Sequence, residues 1–120
     1  MISKELLSEV LNISINLIEL NPILENNKND IGYLLKGSQN TVHEVHRNHK
    51  RINIYELAHK CKEWALKHGY LLESGLAVCF EKGFCEIYTT RKPYQKINEV
   101  LHNTEPEAIF KACEWVMTNQ

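Results

Sequence analysis

The segment NIYELAHKCKEWALKHG, residues 53–69, decides how this chain is to be read. Asn53 can accept a hydrogen bond from a backbone N–H of a first helical turn. Glu56, three residues on, is placed to reach back, as in a capping box with Asn standing for Ser or Thr. Apolar residues then recur at Ile54, Leu57, Ala58, Cys61 and Ala65, with Trp64 and Leu66 widening the stripe. That spacing predicts a helix lying on a core, with Lys60, Lys62, Glu63 and Lys67 mainly on its other side. Glu63 and Lys67 are four apart in the favourable orientation. Lys67 and His68 suit the negative end of the helix dipole, and Gly69 can take the left-handed conformation that stops the helix.

The plan returns near the end of the chain. Thr104, Glu107, Lys111, Glu114 and Trp115 stand 51 residues after Asn53, Glu56, Lys60, Glu63 and Trp64. Two readings are open: two amphipathic helices that obey the same rules, or a duplicated half with two helices on one sheet. Two copies are too few for a stacked repeat array.

Outward from these helices the period changes. Residues 3–11 read as a short helix with Leu6, Leu7, Val10 and Leu11 on one face. Ile13, Ile15 and Leu17 alternate with Ser14 and Asn16, which predicts a strand, although one helix through Leu20 also fits. Residues 21–30 read as a loop. Residues 31–36 and 41–46 read as a hairpin around the turn 37–40, and residues 47–50 as a lead into the helix. A strand over 70–73 and a second hairpin follow. Its predicted three-residue loop is Glu81-Lys82-Gly83, with Gly83 at the left-handed position. In that register Phe80 faces Phe84 and Cys79 faces Cys85. Both faces of the hairpin are then rather apolar, and both are expected to be covered, by chain or by partner. Residues 89–94 form a polar turn, residues 96–102 a last strand or a helical turn, and residues 105–118 the terminal helix, with Pro106 in its first turn. The fold class read from this is α+β: a mainly antiparallel sheet with two longer amphipathic helices packed on it. The organisation is one domain over 1–120, with an N-terminal half (1–50) of helix and hairpin and a C-terminal α-β-β-β-α half (51–120).

At 120 residues with a net charge of −1, the chain is long enough for a core and carries no balance that calls for nucleic acid or an anionic membrane. No apolar run is long enough to span a bilayer, and Met-Ile-Ser-Lys-Glu opens no secretion signal, so a cytoplasmic location is expected. In that compartment Cys61, Cys79, Cys85 and Cys113 are expected as free thiols.

Few residues suggest chemistry. His43-Glu-Val-His46 has the spacing H-E-x-H, whereas a zinc-protease helix needs H-E-x-x-H to bring both imidazoles to one face. On a strand, His43 and His49 point one way and His46 the other. No metal and no cofactor are expected there. The run His43, His46, Arg47, His49, Lys50, Arg51 is the most cationic stretch, suited to a phosphate or an acidic partner surface. Glu44 dilutes it and no aromatic interleaves for base stacking, so nucleic acid is not the expected partner. The cysteines form no close knuckle pair and read as small core residues. His59 lies on the flank of the helix. No P-loop, G-x-G-x-x-G or G-x-S-x-G occurs, and no catalytic constellation can be named. Trp64 and Trp115 sit beside the stripes, either as core edge or as interface anchors.

The stretches Ile54-Tyr-Glu-Leu-Ala-His-Lys-Cys-Lys-Glu-Trp-Ala65 and Thr104-Glu-Pro-Glu-Ala-Ile-Phe-Lys-Ala-Cys-Glu-Trp-Val116 resemble a pattern in small bacterial and prophage proteins. The layout over 53–120 is similar to phage ABA-sandwich domains, in which one helix precedes an antiparallel sheet and another follows it. The resemblance carries no catalytic motif and no site residues. It implies a mobile-element accessory protein that binds host machinery, including defence nucleases. The expected function is therefore non-catalytic protein binding, as an inhibitor of a bacterial defence nuclease of CRISPR or restriction type, acting as a monomer or homodimer. The alternative is a small-ligand or nucleotide binder using Arg47, Lys50, Arg51 and Arg91.

Overall fold

The computed structural model describes residues 2–20, 29–35 and 49–120. Among them are three α-helices and two three-stranded antiparallel sheets, an α+β fold. Helix α1 is Lys4–Leu11, and strands β1, β2 and β3 are Ile18–Leu20, Asp30–Leu35 and His49–Asn53. Helix α2 is Ile54–Lys67. Strands β4, β5 and β6 are Tyr70–Ala77, Lys82–Thr89 and Lys96–His102, and helix α3 is Glu105–Thr118.

Each helix begins where a side-chain oxygen can cap it. Ser3 Oγ accepts from Leu6 N at 3.2 Å. Asn53 Oδ1 accepts from Tyr55 N and Glu56 N at 2.9 and 3.3 Å. Thr104 Oγ1 accepts from Glu107 N at 3.3 Å. Such caps satisfy donors that have no partner within the helix. Gly69, at φ +91°, follows the end of α2 and donates to Leu66 O at 3.1 Å, as its position predicts.

The spacing of 51 has a tertiary counterpart. Three antiparallel strands followed by a capped 14-residue helix occur twice, as β1-β2-β3-α2 and β4-β5-β6-α3. The pairings Gly32↔Arg51, Tyr33↔Lys50 and Leu34↔His49 become Gly83↔His102, Phe84↔Leu101 and Cys85↔Val100 when each number rises by 51. The first hairpins do not match: Leu35 pairs with Ile18, whereas Glu86 pairs with Glu73. Both α2 and α3 pack on the β4-β5-β6 sheet and on each other. One buried cluster joins Leu6 and Leu7, Ile18, Ile31, Leu57, Cys61, Leu72, Cys85, Ile87, Phe110, Cys113 and Val116.

Three expectations are corrected, and one falls outside the described residues. Residues 13–17 are not a strand. Asn12 takes a left-handed conformation (φ 55°) and its N–H bonds back to Ser8 O and Glu9 O, which ends α1. A 3₁₀ turn, Ile15–Leu17, follows, and pairing starts at Ile18, where β2 supplies a partner. Residues 41–46, predicted as the partner of 31–36, lie outside the described residues; β2 pairs with β1 and β3. The segment at His49 is strand rather than lead-in, because it completes that sheet.

The largest correction concerns the β4–β5 hairpin. Ala77 pairs with Lys82, a 3₁₀ turn spans Val78–Phe80, and Glu81 rather than Gly83 is left-handed (φ 51°). Cys85 faces Ser74, not Cys79. Gly83 is needed inside the strand instead. A Cβ there would run into the backbone of Thr104 and the amide nitrogen of Glu105, where α3 starts. A tertiary approach therefore outranks the local turn rule. The register differs from the predicted one by an odd number of residues, so every side chain of β4 changes face relative to β5.

Candidate protein-binding face

Alternation along the strands separates the second sheet into two faces. Leu72, Cys85 and Ile87 point to the helices and are buried. On the same face, Ser74 Oγ donates to Glu105 Oε1 at 2.9 Å and ties β4 to the start of α3. The opposite face was expected to be covered by chain or by partner, and no described residue covers it. It carries Leu71, Glu73 and Gly75 from β4, Phe84, Glu86 and Tyr88 from β5, and Lys96, Glu99 and Leu101 from β6. Leu71 is 43% and Leu101 50% exposed. At the hairpin tip Val78 is 83% exposed; Leu76, 68% exposed, lies on the other face of β4, with Leu72 and Ser74.

The register builds rows across this open face. Leu71 stands opposite Tyr88, and Gly75, Phe84 and Leu101 line up at the other end. Between them Glu73, Glu86 and Glu99 are directly opposite one another on three neighbouring strands. Neighbouring strands lie about 4.8 Å apart, so three carboxylates share a short line, an arrangement that costs stability. Lys96 Nζ offsets part of it, at 3.2 Å from Glu86 and 3.3 Å from Glu99. Tyr88 Oη donates to Glu86 Oε2 at 3.1 Å. The bond to Glu86, then that to Glu99, holds the Lys96 ammonium above its usual range. The bond to Glu86 likewise raises the Tyr88 hydroxyl. Glu73 has no ion-pair partner among the described residues.

The residues singled out in the sequence do not converge. His43, His46 and Arg47 lie outside the described residues. His49 opens β3. Lys50 and Arg51 are exposed and adjacent on β3, so they project from opposite faces of its sheet. Trp64 is only 7% exposed, packs edge-on against His68 with centroids 4.4 Å apart, and its Nε1–H finds no acceptor among the described residues. Trp115 is half-buried and meets Tyr70 edge-on at 6.0 Å. Arg91 lines a depression of about 620 Å³ with His68, Tyr70, Thr89 and Asn119.

Of the four free cysteines, Cys61, Cys85 and Cys113 are buried and Cys79 is exposed. Cys113 Sγ donates to Cys61 O at 3.4 Å. That bond, and then burial, pushes the Cys113 thiol up. Burial first, and then the neighbouring Cys113, pushes Cys85 up to about 12. Such thiols stay protonated and are poor nucleophiles. Among the described residues, no three His, Cys, Asp or Glu side chains are grouped so as to hold a metal ion. No described helix is long and apolar enough to cross a membrane.

Sequence reasoning missed the open face because it rests on register. The signal was present as Glu73, Glu86 and Glu99 at equal intervals, but only the correct pairing places them in a row. What the fold defines is an α+β protein with two β-β-β-α units and one sheet face that no described residue covers. Against family models, curated proteins and solved structures, the chain finds no match.

Proposed function

We propose that this chain is a non-catalytic protein-binding module of mobile-element type that inhibits a bacterial defence nuclease by direct contact. The observation that carries the reading is the uncovered face of the β4-β5-β6 sheet, with Leu71 and Leu101 exposed beside half-buried Phe84 and Tyr88. Large apolar side chains left exposed together on an open sheet face mark interaction surfaces. The buried thiols and the scattered cations offer no competing constellation among the described residues.

The test is site-specific photo-crosslinking from positions 71 and 101 in bacterial lysate, followed by a cleavage assay with the captured protein. The expected result is a nuclease whose cleavage stops at stoichiometric amounts of the chain and resumes with Leu101→Asp, the fold being intact by circular dichroism. A captured nuclease that cuts at full rate sinks the reading. A second reading, a small anionic ligand held by Arg91 in its depression with His68 and Thr89, has that cavity in its favour. Calorimetric titration with nucleotides and inorganic phosphate against Arg91→Ala decides it.

A further inference from the structure

The acidic row says what kind of partner surface the open face takes. We infer that Glu73, Glu86 and Glu99 receive Arg or Lys side chains of a partner protein, whose apolar residues settle on Leu71 and Tyr88 at one end and on Phe84 and Leu101 at the other. This assignment rests on the protein-binding reading above and adds the chemistry of the partner to it.

Three observations lead there. First, like charges opposed across three strands destabilise the sheet by themselves, and an incoming cation turns that cost into attraction. Second, Lys96 already shows how a cation sits there, bridging Glu86 and Glu99 at 3.2 and 3.3 Å, while Glu73 at the far end of the row has no such partner among the described residues. Third, the row lies between apolar ends on one plane, so a charged contact there is flanked by surface that excludes water, where charge complementarity steers encounter and selects partners.

The same charges exclude other occupants. A second copy docked face to face about Glu86 would set one row of carboxylates on another. Nucleic acid and anionic lipid would bring phosphates to it. A nuclease surface that itself holds nucleic acid is lined with Arg and Lys, which is the complement required.

The probe is a fluorescent peptide of alternating Arg and Leu, with an alternating Glu and Leu peptide as its counterpart, titrated against the full chain. Anisotropy reads affinity and backbone amide shifts read location. We expect the Arg-Leu peptide to bind at low salt, with shifts confined to the β4, β5 and β6 residues of the open face. The double variant Glu73→Lys with Glu99→Lys weakens binding by about tenfold or more, beyond the loss caused by the same number of lysines placed elsewhere by Glu5→Lys with Glu9→Lys on α1. Lys96→Ala, which frees the carboxylates, tightens it. Equal losses in the two double variants, shifts elsewhere, tighter binding of the Glu-Leu peptide, or Lys96→Ala without effect each overturn the assignment. Self-association that strengthens in Glu73→Lys overturns it too and makes a second copy the occupant. If Leu71→Asp and Leu101→Asp abolish binding of the nuclease identified by crosslinking while Glu73→Lys with Glu99→Lys does not, the charge assignment fails and the protein-binding reading survives.

Discussion

Replacing Gly83 by alanine tests the central packing decision of the fold. The added methyl would sit where the Thr104 carbonyl group and the Glu105 amide nitrogen already are. Those atoms are backbone, so no side chain can rotate away; either β5 or the start of α3 must move. Overpacking a fixed site costs about 1–3 kcal/mol. Displacing the cap also puts at risk the Thr104 bond to Glu107 N, and losing a cap costs about 1 kcal/mol. The sum is roughly 2–4 kcal/mol, which at a urea slope of about 2 kcal/mol/M lowers the unfolding midpoint by about 1–2 M. The companion substitution is Glu81→Gly. Glu81 holds φ 51°, which costs an L residue about 1–2 kcal/mol, partly returned as glycine's greater entropy loss. Its replacement should therefore stabilise by about 0.5–1 kcal/mol. Equilibrium urea unfolding followed by circular dichroism measures both. Had the hairpin followed the local rule, with Gly83 left-handed, Gly83→Asn would be tolerated and Glu81→Gly would destabilise. Finding those two signs together refutes the register and, with it, the open face.

The caps are separable. Asn53→Ala and Thr104→Ala should each lower stability by about 1 kcal/mol, and by an additive amount if the two helix starts act independently, as chemical denaturation of the double variant will show. Alkaline pH should destabilise the fold. An unfolded thiol ionises near 9 whereas Cys85 ionises at about 12, so the unfolded state loses its proton first; the stabilisation is complete below pH 9 and falls by up to about 1.4 kcal/mol per pH unit as pH rises above it, with Cys85→Ala flattening the slope. Thiol labelling of the native protein at pH 8 should modify Cys79 rapidly and the three buried cysteines only on unfolding, which a mass count per chain will check. Trp64→Phe removes an indole N–H that has no acceptor among the described residues and should cost less than about 1 kcal/mol, whereas Trp64→Ala should cost about 3–5.

Much of the architecture was legible locally. The capped, amphipathic helices at 54–67 and 105–118 follow from Asn53, Thr104 and the spacing of apolar residues, because capping and stripe formation use only neighbours in the chain. Helix α1 and the strand character of the segment after Asp30 are of the same kind, whereas 96–102 fitted a strand or a helical turn until pairing with β5 decided it. Pairing is different. Glycine next to a turn signal has two uses, a left-handed residue or a close backbone approach, and nothing within residues 77–85 distinguishes them. The distant Thr104–Glu105 segment does, by occupying the space a Cβ at Gly83 would need. Once Gly83 lies in the strand, Glu81 must take the left-handed turn position, Ser74 moves opposite Cys85, and the three glutamates fall into one row on the side away from the helices. Local chemistry thus determined the three helices and part of the strand content. Only tertiary packing decided which face of the sheet is buried, because side chains alternate with period two and a single steric contact sets their parity.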